Sequence, residues 1–272
     1  MRVAVVTGRR FRDARPIALE LGLDVPVISH NGALTKHAVT LETVNATLLA
    51  LAAARDVLRV GREQNRGAMV SDDPQGKGIL VYDQLSDDNH ALERYIAWSR
   101  RLHGDEAEDS VQRVDSLEDY LQHEPVHISF SGTCDSMSRM SERLADEIGD
   151  RIKVFNTTYR KQDFSLLDIL NPEASKGIGV AAAALEYGIS RDEVMAIGDN
   201  HNDIEMLRYA GTGVLMGNAD GSMRSHGDFH ITAGNDEDGV AVAIEEFILD
   251  EGHRTEAPGL RIDAESALQS ES

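Results

Sequence analysis

Short apolar runs alternate with longer amphipathic stretches along most of the chain, and this alternation predicts strands that alternate with helices. Residues 3–6 are four consecutive apolar residues, mostly valine, which predicts a buried strand. Residues 13–21 have helical spacing and are followed by Gly22, a residue typical of helix ends. The same criteria predict strands at residues 25–29, 79–82, 126–130, 152–155, 164–170, 194–197 and 214–216. They predict helices at residues 41–54, 135–148, 176–187, 203–210 and 239–249.

The order of these elements predicts an α/β protein with two regions. Strands and helices alternate at both ends of the chain, which is typical of a parallel sheet covered by helices. We therefore assign residues 1–36 and 171–250 to a Rossmann-like core. Residues 37–170 mix hairpin-like strands with helices and are expected to form a separate α+β insert. Residues 251–272 lack apolar periodicity and are expected to be an acidic, disordered tail.

Composition narrows the classes of function. The 272 residues include 47 acidic and 27 basic side chains, for a formal net charge of −20. This balance argues against binding to nucleic acid or to an anionic membrane, because both need clustered Lys and Arg. Cys134 is the single cysteine, which excludes an internal disulfide and favours a reducing cytoplasm. The apolar runs are shorter than a spanning helix or a signal peptide needs, so we expect neither.

Polar residues follow the strand predicted at residues 194–197. Asp199 and Asn200 come directly after it, and Asn202 and Asp203 fall on the first turn of the next helix. Ligands of parallel sheets bind outside the carboxyl ends of the strands, so we expect these side chains at the mouth of a site. Carboxylate and amide oxygens suit Mg²⁺. Helix capping accounts for one of these residues, but it does not require four.

Three weaker segments have chemistry that suits a phosphate. Thr7-Gly8-Arg9 follows a predicted strand and offers a hydroxyl, an open glycine amide and a guanidinium. Lys176 begins a predicted helix, where the helix dipole favours an anion, so a lysine there suggests a phosphate partner. Asn31-Gly32-Ala33 is a third strand-end turn. An ordinary turn or a surface lysine remains the alternative for each segment.

A dinucleotide-binding fingerprint is a competing interpretation. Residues 177–182 fit G-x-G-x-x-A, and Asp199 follows Gly179 by twenty residues. In that fingerprint the glycines stand directly at the end of a strand. Here six residues separate the strand predicted at 164–170 from Gly177, which argues against a dinucleotide-binding oxidoreductase.

Taken together, the segments resemble the haloacid dehalogenase superfamily, in its Cof-type sugar-phosphatase branch. The motifs, in order, are TGR at Thr7, NGA at Asn31, SKG at Ser175, GDNHND at Gly198, MGNA at Met216 and NDEDGVA at Asn235. The resemblance implies a Rossmann-like core with a large cap inserted between the second and third motifs. It also implies a Mg²⁺-dependent phosphatase of small phosphorylated metabolites, with sugar phosphates as the expected substrates.

The resemblance further implies a role for each matched residue. Asp199 and Asp203 resemble the acids of the metal site, and Lys176 resembles the lysine that neutralises the phosphoryl charge. Thr7, the Gly8 amide and Asn202 resemble groups that bind phosphoryl oxygens. Arg9 and Asn31 are expected at the substrate entrance. These roles amount to positioning and charge neutralisation, as phosphoryl transfer requires.

One family motif has no counterpart. D-x-D-G-T supplies the family's aspartate nucleophile some tens of residues before TGR, whereas only six residues precede Thr7 here and none is acidic. We weigh two explanations, a misassigned start site, which we favour, and a degenerate protein that binds phosphorylated ligands without turning them over. Because the family's nucleophile strand lies centrally, we expect residues 3–6 and 194–197 to be separated by a gap or else to pair directly.

Overall fold

The computed structural model describes residues 1–84, 93, 96–99, 101 and 110–249. The predicted tail at 251–272 lies outside these residues. The strands are β1 (Pro26–Ser29), β2 (Leu34–His37), β3 (Thr43–Ala46), β4 (Met69–Asp72), β5 (Ile79–Tyr82), β6 (Val111–Arg113), β7 (His127–Gly132), β8 (Lys153–Tyr159), β9 (Phe164–Leu170), β10 (Met195–Gly198), β11 (Thr212–Leu215) and β12 (His230–Ile231). The helices are α1 (Phe11–Glu20), α2 (Leu51–Glu63), α3 (Leu117–Tyr120), α4 (Cys134–Ile148), α5 (Lys176–Glu186), α6 (Ile204–Tyr209) and α7 (Gly239–Ile244).

The largest sheet lies within the predicted insert. Its six strands are ordered β6-β5-β4-β7-β9-β8, and all neighbours are antiparallel except the parallel pair β5–β6. One face carries apolar residues such as Ile128 and Phe130, which pack with Val57 of α2 and Met140 of α4 in a continuous buried cluster. The alternation of apolar residues along β7 and the amphipathic spacing of α4 place this face inward.

A three-stranded antiparallel sheet, β1-β2-β3, follows the N-terminal segment. Residues 41–54 were expected to be one helix, and this expectation is wrong, since β3 occupies its first half and α2 begins at Leu51. The β-branched Thr43 and Val44 suit a strand, and β2 offers an edge for β3 to pair with. This sheet spans the boundary predicted at residue 36, which stays a prediction.

The prediction of a strand over residues 3–6 is also wrong, because only Val6 forms a β-bridge. Val6 forms a single parallel bridge with Ile28 of β1, and the Thr7 N–H donates to the Ile28 carbonyl at 2.8 Å. Val3 is 52% exposed, so the run is not buried as expected. Within the described residues, β1 is the only strand that pairs with this segment. The pairing is a single bridge rather than a continuous ladder.

A parallel sheet, β10-β11-β12, forms the rest of the core. Helix α6 packs against β10 and β11, and α5 packs against α6 and β1. Among the described residues, β10 pairs only with β11, and no ladder joins it to residues 3–6. Direct pairing of residues 3–6 with residues 194–197, one of the two expected arrangements, is therefore not observed. An α/β fold with helix-covered parallel strands is confirmed.

The loop between β4 and β5 reaches back to the core. The Lys36 ammonium of β2 is fully buried and donates to the carbonyl oxygens of Pro74 at 2.9 Å and Gly76 at 2.5 Å. Arg12 of α1 donates to the Gly78 carbonyl at 2.7 Å. These bonds fix the loop against α1 and β2.

Across the described part of the chain, no helix has the length and apolarity needed to cross a membrane.

Candidate functional site

A buried ion pair lies at the beginning of α5. Ser175 caps the helix by accepting the Ile178 N–H at 3.1 Å, which fixes the backbone on which Lys176 stands. The Lys176 ammonium donates to Asp203 Oδ1 at 2.5 Å, and both residues are buried. A buried ion pair of this kind is costly to break, because either partner would be left as an uncompensated charge.

The second oxygen of Asp203 is also engaged. Asp203 Oδ2 accepts the backbone N–H groups of Asp199 at 3.1 Å and Asn200 at 3.0 Å. A side chain at Gly198 would place its Cβ 2.5 Å from Asp203 Cβ, so the strand exit needs glycine there. Asp203 therefore fixes both Lys176 and the turn that carries Asp199.

Asp199 accepts a hydrogen bond from Asn218, which Asn235 supports in turn, and sequence reasoning assigned neither asparagine to the site. Asn218 Nδ2 donates to Asp199 Oδ2 at 3.1 Å, and Asn218 Oδ1 accepts the Asn235 N–H at 2.9 Å. Asn218 belongs to the MGNA motif and Asn235 to the NDEDGVA motif. The motifs were therefore the available signal, but their position in the fold was needed to connect them with Asp199. The Asp199 side chain is exposed and faces outward from the end of β10.

The NGA turn joins the TGR turn to the Asp203 loop. Asn31 is buried, its N–H donates to the Thr7 carbonyl at 3.1 Å, and its Oδ1 accepts from Asn202 Nδ2 at 2.9 Å. A Cβ at Gly8 would come within 2.8 Å of Asn31 Oδ1. The structure thus brings together Thr7, Gly8, Asn31 and Asn202. Arg9 is exposed, and its N–H donates to Thr7 Oγ1 at 3.1 Å.

The backbone of this turn is strained. His30, Asn31 and Gly32 have φ angles of 50°, 54° and 92°, so three consecutive residues are left-handed. Such conformations cost of order 1–3 kcal/mol at a non-glycine residue and cluster at functional sites. A Cβ at Gly32 would lie 1.8 Å from the Ser175 carbonyl oxygen, so the turn packs directly on the start of α5.

The donor set for a cation is small. Within the described residues, no group of three or more His, Cys, Asp and Glu side chains is arranged to hold a metal ion. Both oxygens of Asp203 accept hydrogen bonds, which leaves Asp199 as the predicted ligand with an oxygen available. Mg²⁺ is commonly bound by one or two carboxylates together with phosphate oxygens and waters. The single free carboxylate oxygen of Asp199 suits Mg²⁺ only where phosphate oxygens and waters supply the remaining ligands.

The geometry argues against the dinucleotide fingerprint. Gly177 and Gly179 lie inside the first turns of α5 rather than at a strand end. A Cβ at Gly177 would meet the Glu205 carbonyl oxygen at 2.8 Å, and one at Gly179 would meet Ile28 Cγ2 at 2.4 Å. Close packing of α5 against α6 and β1 therefore explains these glycines.

The chain is similar to known hydrolases. Residues 1–244 match the family model of haloacid dehalogenase-like hydrolases. The chain is 30% identical to the stress response protein YhaX of Bacillus subtilis (strain 168), over 90% of this chain and 81% of the relative. It is 27% identical to the pyridoxal phosphate phosphatase YbhA of Escherichia coli (strain K12), over 90% of this chain and 85% of the relative. A haloacid dehalogenase-like hydrolase from Bacteroides thetaiotaomicron matches with a TM-score of 0.71 at 22% identity, over 90% of this chain and 86% of that chain.

Proposed function

Since the chain belongs to the haloacid dehalogenase-like hydrolases, we propose that it has the binding site of a Mg²⁺-dependent phosphatase of small phosphorylated metabolites, with sugar phosphates as the expected substrates. The observation that carries the proposal is the buried Lys176–Asp203 pair, held beside Asp199 and the Asn31–Asn202 contact. A phosphoryl group needs positive charge and hydrogen-bond donors arranged in advance, and these residues offer both.

Each residue has a distinct task in this proposal. Lys176 neutralises a phosphoryl oxygen, and Asp203 fixes its ammonium and the turn of Asp199. Thr7 Oγ1 and the Gly8 N–H bind further phosphoryl oxygens, while Arg9 attracts the anion from solvent. Asp199 is the carboxylate that would hold Mg²⁺, and the ion when bound would neutralise charge on the phosphoryl group.

Asn202 keeps one acceptor free beside the site. Its Oδ1 is buried and has no hydrogen-bond partner within the described residues, while its Nδ2 donates to Asn31 Oδ1. An amide oxygen only accepts hydrogen bonds, so in this proposal it takes a hydroxyl or a water of the bound substrate, and Asn202 fixes Asn31 through its Nδ2.

The 272 residues contain no D-x-D-G-T motif, and we propose that without one they do not hydrolyse phosphate esters. Asp13, the acid next after TGR, is buried and bonded to the Arg10 guanidinium at 2.9 and 3.2 Å, so it does not serve. The nearest match to D-x-D-G-T is Asp236-Glu237-Asp238-Gly239-Val240. That segment forms a turn and the start of α7, with all three acids exposed, rather than the end of a strand.

The test is hydrolysis of an aryl phosphate with Mg²⁺. The 272-residue chain is expected to show none, and a variant to which a strand ending in D-x-D-G-T is joined before Met1 is expected to show it, because the covalent route is then supplied. Calorimetry on the unextended chain is expected to show weak Mg²⁺ binding that Asp199→Asn abolishes. Turnover by the unextended chain that Asp199→Ala abolishes would contradict the missing nucleophile. An inactive extended chain would overturn the phosphatase proposal.

A non-catalytic protein that binds phosphorylated ligands is the second candidate. The retained Lys176–Asp203 pair without a nucleophile is the observation that favours it. An extended chain that binds inorganic phosphate but never turns over an ester would select it. We place either protein in the cytoplasm, because the single cysteine, Cys134, is a free thiol.

A further inference from the structure

Two buried histidines connect the six-stranded sheet to the strained turn of the candidate site. His30 Nδ1 lies 2.8 Å from His127 Nδ1, although the two residues are far apart in sequence. They are 4% and 5% exposed. His127 begins β7, and His30 begins the left-handed turn that continues with Asn31.

The other nitrogen of His30 determines which nitrogens carry the protons. His30 Nε2 accepts the Phe11 N–H at 3.0 Å, so a neutral His30 must carry its proton on Nδ1. His30 Nδ1–H then donates to His127 Nδ1, and His127 carries its own proton on Nε2, 3.6 Å from Asp168 Oδ1. Protonation of His127 would set one N–H against another. The bond therefore requires two neutral rings.

The surroundings favour the neutral pair. The charge that acts on both rings is that of Arg10, which forms an ion pair with Asp13. Asp168 on β9 lies 3.6 Å from His127 Nε2, and burial raises the pKa of its carboxyl to about 7. Burial lowers the pKa of His30 well below its usual value, and His127 and Arg10 lower it further. Burial, followed by the charge of Arg10, lowers the pKa of His127 to about 3. Both rings are thus neutral at pH 7.

The bonds of His30 also fix the strained backbone. Phe11 is the first residue of α1, and the side chain of Arg10 before it makes no cap, so His30 accepts the N–H of Phe11, which has no partner within the helix. His30 is thereby held at both ring nitrogens. The next residue, Asn31, accepts from Asn202, so any rotation of the turn would displace the Asn31 amide from the site.

We propose that His30 is a positioning residue for the phosphate site and that His127 of the six-stranded sheet completes it, as a neutral pair that fixes Asn31 against Asn202. The expected effect on phosphate binding rests on the function proposed above. The hydrogen bond between the two histidines does not depend on any ligand. Within the described residues, no hydrogen bond or ion pair joins His127 to a group assigned to phosphate, and its bond to His30 is the link toward Asn31.

The first experiment is NMR of the ¹⁵N-labelled full chain. A scalar coupling between the two Nδ1 atoms across the hydrogen bond is expected, and its absence in the wild-type chain would overturn the proposal. His127→Phe keeps a ring of similar size but removes the acceptor, whereas His127→Gln keeps an acceptor. We expect the side-chain amide signals of Asn31 and Asn202 to shift in His127→Phe and to be restored in His127→Gln. His230→Phe, at an exposed histidine, is the matched control and should leave them unchanged.

The second experiment is calorimetry with inorganic phosphate and Mg²⁺. His127→Phe is expected to weaken phosphate binding about tenfold, while His127→Gln stays within about threefold of wild type. Wild-type affinity in His127→Phe, with the Asn31 and Asn202 signals unmoved, would overturn the proposal. If the wild-type chain binds no phosphate, the proposed function fails, and the amide signals alone then decide whether His127 positions Asn31. If His127→Phe does not fold, the wild-type coupling and His127→Gln still decide.

Discussion

The six-stranded sheet and the core sheets differ in how completely their strands are paired. Each of the four inner strands of the six-stranded sheet has two neighbours, and its apolar face is covered by α2 and α4. In the core, β1 and β10 belong to separate sheets, and no ladder joins them among the described residues. Unpaired N–H and C=O groups at a buried edge cost about 1–3 kcal/mol each. Among the described residues, the six-stranded sheet therefore satisfies most of its backbone by strand pairing, whereas β1 and β10 are held together by contacts between helices and turns.

The largest expected effect concerns the contact that joins the two halves of the core. Gly32→Ala would bring a Cβ within 1.8 Å of the Ser175 carbonyl, at a φ of +92°. We expect it to lower the free energy of unfolding by about 4 kcal/mol or more and to abolish phosphate binding, because the obstacle is backbone. Chemical denaturation of the purified variant measures the loss.

Gly188→Ala is the matched control for this substitution. Its φ is +64°, but no atom lies within 4 Å of the added Cβ, so only the conformational cost of about 1–2 kcal/mol applies. Equal losses in the two variants would show that the turn does not depend on its contact with α5.

Hydrogen exchange tests the comparison directly. Amides of β10 are expected to exchange through openings whose free energy is at least about 2 kcal/mol lower than for β7, because within the described residues β10 has one paired edge and β7 has two. The chain is also expected to aggregate readily through the open edges. A single cooperative melt at high temperature, with equal protection in both sheets, would contradict this difference and favour the degenerate binding protein.

A pH-dependent effect is expected at Asp168 of β9. Burial raises the pKa of Asp168 to about 7, so the folded chain favours the protonated carboxyl. Between about pH 4 and 7 the folded state keeps a proton that the unfolded chain releases, so stability falls as the pH rises through that window. Since one pKa unit corresponds to about 1.4 kcal/mol, Asp168→Asn should stabilise the chain by up to about 4 kcal/mol at pH 8 and by almost nothing at pH 4.

Unfolding curves at the two pH values measure this effect, with Asp150→Asn, at an exposed acid of the same region, as the control. A gain of the same size at both pH values would mean that Asp168 is not protonated preferentially in the fold.

Local sequence signals predicted much of the fold and the neighbourhood of the site. The strand-end rule placed Asp199, Asn202 and Asp203 after β10, and the structure brings Lys176 to Asp203. Their catalytic and metal-binding roles stay predictions. The helix predicted at residues 41–54 failed because Leu and Ala favour a helix locally, whereas pairing with β2 decides the conformation of Thr43–Ala46.

Other features depend on contacts that no local pattern contains. The bond between His30 and His127 joins residues that the alternation of strands and helices assigned to different regions. The contact of Asn218 with Asp199 joins two motifs whose relative placement needs the folded sheet. Residues 3–6 have the composition of a buried strand, but burial of a strand depends on its neighbours, and here Val3 is exposed.

The burial of Lys36 makes its chemical reactivity a measure of how often the loop at residues 73–78 opens. Its amine is fully enclosed between the carbonyls of Pro74 and Gly76, and burial lowers its pKa. An acylating reagent reacts only with a free amine that it can reach. Covalent labelling of Lys36 therefore requires the loop at residues 73–78 to separate from β2, and the mass gained over time records how often that separation occurs.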